Sequence, residues 1–163
     1  MKLLSQTFVA IIIFLSGCDK SNDVINPDYC NGLITDTLGT NDSAKIYMPN
    51  AFSPNGDATN DMIIPYCRNV VSIEFTIYDQ KKAVVFSTNQ LDQGWGSTLI
   101  SDNSVTKYYY KIQAITSANH KIGVCGDLYK LSCRPNNTLL YFTDQLTQTG
   151  FTNRTSETLP NCR

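Results

Sequence analysis

The side chains with the most chemistry to offer are six cysteines, one histidine and a turn crowded with amide and carboxylate oxygens. The cysteines are Cys18, Cys30, Cys67, Cys125, Cys133 and Cys162, and no two form a CxxC pair of the kind that clamps zinc. His120 has no second histidine with which to complete a zinc site or a triad, so it reads as a surface residue in a polar turn. The crowded turn runs through Asn55-Gly56-Asp57 to Asn60-Asp61. Oxygens so closely spaced suit calcium, yet the regular alternation and distal glutamate of a dedicated calcium loop are missing. Bonds from these side chains to the turn's own backbone are the favoured alternative. The sequence has no nucleophile elbow, phosphate loop or metalloprotease helix. The expectation is a chain without catalytic residues, metal, cofactor or small-molecule substrate.

What the cysteines do depends on the compartment. Lys2 precedes an apolar run from Leu3 to Leu15, too short to span a membrane comfortably, and Leu15-Ser16-Gly17-Cys18 follows. That tetrad reads as a lipobox: residues 1–17 would be removed and the sulfur of Cys18 would take a lipid. An ordinary secretory signal that contains a cysteine is the alternative. Several acyl chains would anchor the protein stably, where one gives marginal binding. Export brings an oxidising milieu, in which Cys30, Cys67, Cys125, Cys133 and Cys162 are disulfide candidates with connectivity open and one left over. Cys162 would staple the tail back, with Cys133 or Cys125 as its first candidate partners. With 163 residues the chain has material for one core, and a net charge of −1 makes no case for nucleic acid. Only 17% of residues are charged, while tyrosine, threonine, serine and asparagine abound, which suits an extracytoplasmic β protein.

The elements that must position these residues follow from apolar spacing. Residues 18–45 read as lipid anchor and polar tether, Cys30 to Ala44 being an exposed, turn-rich loop. Ile46 to Ala51 is an apolar strand that breaks at Pro54, and Met62-Ile63-Ile64-Pro65 is a short strand confined by its proline to an edge or end. Val71, Ile73, Phe75 and Ile77 alternate with Ser72, Glu74, Thr76 and Tyr78, giving one buried and one wet face. Asp79-Gln80-Lys81-Lys82 turns the chain and Ala83 to Phe86 pairs back as a hairpin. Tyr108, Tyr110, Ile112 and Ala114 form a second inward face. Ile122 to Cys133 reads as a strand pair, with a bulge at Gly123 and Gly126 because Leu128 and Leu131 otherwise fall on opposite faces. Residues 134–163 add a packed extension, with a helical turn or two around Phe142 and Leu146.

The string Met48-Pro49-Asn50-Ala51-Phe52-Ser53-Pro54-Asn55-Gly56-Asp57-Ala58-Thr59-Asn60-Asp61 resembles the opening signature of the gliding motility-associated C-terminal domain, a bacterial module linked to type IX secretion. Ile77-Tyr78-Asp79, Val85-Phe86, the glycine-flanked Trp95 and the Tyr108 to Tyr110 run extend the resemblance over residues 46–133. Ala58 stands where the family has glycine, and Gln80-Lys81-Lys82 where it has Trp-Gly. The resemblance implies an all-β, immunoglobulin-like antiparallel sandwich of about seven strands, here with a disulfide-pinned extension, and Trp95 as the plug at one end or a stacking platform. Acidic residues after Cys18 resemble the group's surface-export signal, so the lipid-anchored protein is expected on the outer membrane, at the cell surface or on the periplasmic face. Asp36-Thr37-Leu38 and Asp42-Ser43-Ala44 are similar to its short O-glycosylation motif, with an exposed loop as the simpler reading. The functional expectation is a binding or scaffold subunit of an envelope machine in secretion, gliding or barrel assembly, with an outer-membrane protein complex as partner. A type IX cargo sorting domain and a carbohydrate-binding module are the alternatives. A sorting domain normally follows a functional region, and here only the tether precedes the module.

Overall fold

The computed structural model describes residues 29–96 and 103–163. The expected signal peptide, the Cys18 lipidation site and the acidic residues after it lie outside the described residues. In chain order the strands are β1 (Lys45–Tyr47), β2 (Ala51–Phe52), β3 (Met62–Ile63), β4 (Tyr66–Arg68), β5 (Val70–Tyr78), β6 (Val84–Thr88), β7 (Trp95–Gly96), β8 (Val105–Thr116), β9 (Lys121–Leu131), β10 (Leu146–Thr147) and β11 (Gly150–Phe151). One 3-10 turn, Thr143–Gln145, precedes β10. The protein is all-β.

Five strands form the main sheet in the order β2-β9-β8-β5-β6. Its pairs are antiparallel except one: β2 runs parallel to β9. Three two-stranded ribbons, β1-β4, β3-β7 and β10-β11, complete the topology. The Ile46 to Ala51 run is split, because Pro49 has no amide to donate and the chain crosses there from the β1-β4 ribbon to the main sheet.

The core sits on one face of the main sheet. Ile73, Phe75 and Ile77 of β5, Tyr110, Ile112 and Ala114 of β8, and Leu128 of β9 point into it. Met48, Phe52 and Ile63 close it from the other side, with Ile46, Cys67 and Trp95 packed against them. Each large side chain so buried contributes about 1.5–3 kcal/mol. Val71, expected inward, is 61% exposed. The pairing of β5 with β8 slips between Val70 and Ser72, and Val70 packs on the core instead.

The expected strand pair and bulge beyond Ile122 are replaced by one continuous strand. Pairs between β8 and β9 run without a shift from Val105↔Leu131 to Ile115↔Lys121. Leu128 and Leu131 are both fully buried because they serve different cores: Leu128 the main one, Leu131 a second one with Ala51 and Phe142. Gly123 instead admits a neighbour, since a Cβ there would lie 2.7 Å from that of Leu33.

That neighbour belongs to the segment expected to be a free loop. Tyr29 stacks on Tyr109 with centroids 4.2 Å apart and donates its hydroxyl to the carbonyl of Asp79 at 2.9 Å. Gln113 holds the backbone of Ile34 from both sides, accepting its N–H and donating to its C=O, each at 2.9 Å. The Asp36 and Lys121 backbones meet at 3.0 Å, and the Asp36 carboxylate accepts the Lys121 N–H at 2.7 Å. The run from Tyr29 to Asp36 is therefore fixed across the sheet face opposite the core.

Candidate functional site

Pro54 ends β2's run and sends the chain into the turn that sequence singled out. Gly56, Ala58 and Asn60 adopt φ of 84°, 66° and 53°. Left-handed backbone costs an ordinary L-residue about 1–2 kcal/mol, so Ala58 carries strain that the glycine of the resembling family avoids. Asp61 answers by accepting the N–H groups of Gly56 and Ala58, both at 2.9 Å. Asn55 accepts the Asp57 N–H at 3.0 Å, and Asp57 accepts that of Thr59 at 2.8 Å. The oxygens considered for calcium thus hold their own turn. No cluster of three or more His, Cys, Asp or Glu able to hold a metal occurs among the described residues.

Asn60 faces inward and joins the turn to the extension. Its backbone carbonyl accepts the Ser53 N–H at 2.9 Å, and its side-chain carbonyl accepts the Asp144 N–H at 3.0 Å. Its amide donates to Glu157 at 3.3 Å, and the Ser53 hydroxyl donates to the same carboxylate oxygen. Glu157 is 5% exposed, and its other oxygen is buried with no partner among the described residues. Sequence gave no hint of this: Glu157 is a lone acid in a polar tail, and nothing in its spacing ties it to Ser53.

Asn50 makes the second junction. The amides of Asn50 and Ala51 donate to the Tyr141 carbonyl at 2.9 and 3.2 Å. The Asn50 side chain accepts the Tyr141 N–H at 2.7 Å and donates to Leu139 at 3.0 Å. The extension therefore lies along the outer edge of β2, and Phe142, 1% exposed, fills the second core. The expected helical turns reduce to one 3-10 turn, held by the Gln145 side chain, which accepts the Phe142 N–H and donates to the Thr152 carbonyl. An open cleft of about 650 Å³ runs between Ala58 to Met62 and Thr143, Asp144 and Ser156.

The cysteines are placed plainly. Cys30 is joined to Cys125 and Cys133 to Cys162, while Cys67 remains a thiol. Cys67 sits in β4 opposite Ile46, half-buried, and burial pushes its thiol up to about 11. His120, expected at the surface, binds Asp42 through Nδ1 at 2.8 Å, and Thr116 donates to the same carboxylate at 2.7 Å. Asp42 is 2% exposed, and the His120 bond, then those from Thr116 and the Ala44 amide, hold its carboxyl below its usual range. Within the two glycosylation-like tripeptides Thr37 and Ser43 are exposed. Trp95 packs at 5.2 Å from Phe52 and 4.9 Å from Tyr108, its ring engaged with the core.

At the far edge of the main sheet, β6 pairs only with β5 among the described residues, and Val84 and Val85 are 58% and 40% exposed. Tyr110 in the core has its hydroxyl pushed up to about 12 by burial and then by Asp127, so it stays neutral.

Among protein families, the model described as CHU_C Type IX secretion signal domain matches residues 46–125, ending within β9 rather than at Cys133. No curated protein and no solved structure matches the chain. Residues 46–125 thus carry the type IX secretion signal domain that this model describes.

Proposed function

We propose that this chain is a non-catalytic docking subunit, lipid-anchored to the outer membrane through Cys18, that binds a protein assembly of the envelope by strand addition to β6. The observation that carries this is the open edge of the main sheet. β6 offers five residues of backbone with outward donors and acceptors unused among the described residues, and two exposed valines beside them. Such an edge is a template for an incoming extended segment. The polar groups that might have done chemistry are committed elsewhere: His120 to Asp42, Asp61 to its turn, Glu157 to Ser53 and Asn60. A lipid at Cys18 would hold the module in the membrane plane and raise its effective concentration for a neighbour there.

Gentle detergent extraction and size separation test the reading. Wild type is expected full length, with lipid mass on Cys18, co-migrating with a large outer-membrane assembly. Val84→Lys with Val85→Lys should fold and lose that co-migration. A lipid-free wild-type monomer would end the proposal. The family match favours a second reading, in which the domain is a sorting signal on secreted cargo. Its mark would be a form in the medium that lacks the signal domain.

A further inference from the structure

We propose that residues 134–163 are a disulfide-locked latch seated in a peptide-binding edge of the signal domain, and that the ligand it excludes is an extended peptide bearing a carboxylate. The reading does not rest on β6 and concerns the opposite edge of the sheet.

Three separate grips hold the extension. The first is strand-like: Tyr141 accepts from the Asn50 and Ala51 amides and donates back to the Asn50 side chain. The second is apolar: Phe142 packs on Ala51, Leu131 and Tyr129 of the sheet, beside the extension's own Leu140 and Leu159. The third is polar: the Ser53 hydroxyl and the Asn60 amide donate to one oxygen of Glu157. Backbone pairing, an aromatic anchor and a carboxylate held by two donors are the parts from which peptide-recognition sites are built. Here the chain supplies both site and occupant.

The polar grip defines the ligand class. Ser53 and Asn60 aim donors at a single spot, and what fills it is a carboxyl group whose other oxygen, Oε1, is buried with no partner among the described residues. A neutral filler would satisfy the extension's own burial more cheaply, because an unpaired buried carboxylate oxygen is costly. A carboxylate there makes sense as the mimic of an acidic group on a ligand from outside.

The lock is covalent and local. Cys133 leaves β9's end bonded to Cys162, and between them the Arg134 N–H donates to Pro160 at 2.7 Å while the Cys162 N–H donates to Arg134 at 3.0 Å. Apart from this anchor, β10 and β11 pair only with each other. With the disulfide closed, a detached latch could travel only a short way and would reseat ahead of any competitor.

The test uses the full chain and the Cys133→Ala/Cys162→Ala variant, which leaves Cys30–Cys125 intact. In the variant the Asn50 and Ala51 amides should exchange with solvent about tenfold faster or more, while Ile112 in the sheet centre is unchanged. A synthetic peptide with the sequence of residues 138–158 should bind the variant and not the wild type, and the same peptide with Glu157→Gln should bind several-fold more weakly. Unchanged Asn50 and Ala51 exchange, or equal binding of the peptide to both proteins or to neither, would overturn the proposal. Should the cysteine variant fail to fold, Phe142→Ala/Glu157→Ala with the disulfide intact gives the same exchange readout. Protection of Asn50 and Ala51 surviving there refutes the latch. Co-migration through β6 is read separately, so either proposal can fail alone.

Discussion

At one edge of the main sheet β2 presents two residues, and the outward amides beside it go to Tyr141; at the other β6 presents five, and among the described residues nothing takes them. The covered edge has three devices that protect a strand from unwanted pairing: shortness, buried prolines at positions 49 and 54, and a strap of chain laid over it. Between Val84 and Thr88 the open edge has no proline and no charge, and no cover among the described residues. A bare edge strand with two exposed valines is a template for pairing with another chain. The difference teaches that the family signature and the open edge do not coincide: the signature lies under the covered edge.

The sharpest way to break the comparison is to remove one apolar residue from each edge. Phe142→Ala should cost about 3–5 kcal/mol, since it opens a cavity against Ala51 and Leu131. Val84→Ala on the open edge should stay within about 0.5 kcal/mol. Denaturant melts of the two variants measure both, and equal losses would erase the distinction. Next in size, Cys133→Ala/Cys162→Ala should cost about 3–4 kcal/mol in the chain-entropy picture. If melts of that variant match wild type, the strap is held by its noncovalent grips alone.

A smaller effect lies at the corner where Asp42 meets Thr116 and His120. Asp42 is held below the usual carboxylate range, chiefly by His120, so its stabilising contribution is complete above that range and is lost as pH falls through its lowered folded value. Asp42→Asn should therefore flatten part of the acid limb of the stability–pH curve and leave both edges untouched. An unaltered acid limb would show that the corner formed with Thr116 and His120 contributes nothing. Smallest is Ala58→Gly in the signature turn, expected to stabilise by about 0.5–1 kcal/mol because φ is 66° there. A loss on this substitution would mean that unfolded-state entropy outweighs the relieved strain.

Much of the main sheet was legible because its faces differ. Ile73, Phe75 and Ile77, and Tyr110, Ile112 and Ala114, announce themselves by alternation, since one side of each strand meets the core. The second core was not legible. Leu131 and Phe142 become neighbours only when the extension folds back, and a strand buried on both faces at one end reads as a slip of register. The run from Tyr29 to Asp36 looked like tether for a similar reason: its grip on the sheet comes from one tyrosine stack, hydrogen bonds to backbone groups and one disulfide, which carry no apolar period. The turn at residues 55–61 was readable to the level of its own bonds, because asparagine, glycine and aspartate there have few other uses. Its tie to Glu157 was not, because a single acid has no periodicity.

The two disulfides also dictate how the protein would carry tension. A pull on the chain ahead of Tyr29 enters at Cys30, crosses to Cys125, runs along β9 to Cys133 and leaves through Cys162. Residues 31–124 and 134–161 become closed loops outside the load path, so the whole signature turn and both sheet edges are mechanically bypassed. Only the short stretch of β9 between Cys125 and Cys133 is strained, and it lies between β2 and β8, braced on both sides. Stretching single oxidised molecules from their ends should give little gain in contour length, whereas release of the 31–124 loop would show that force reaches it. Pulled between its two ends, the oxidised protein would keep its shape under load.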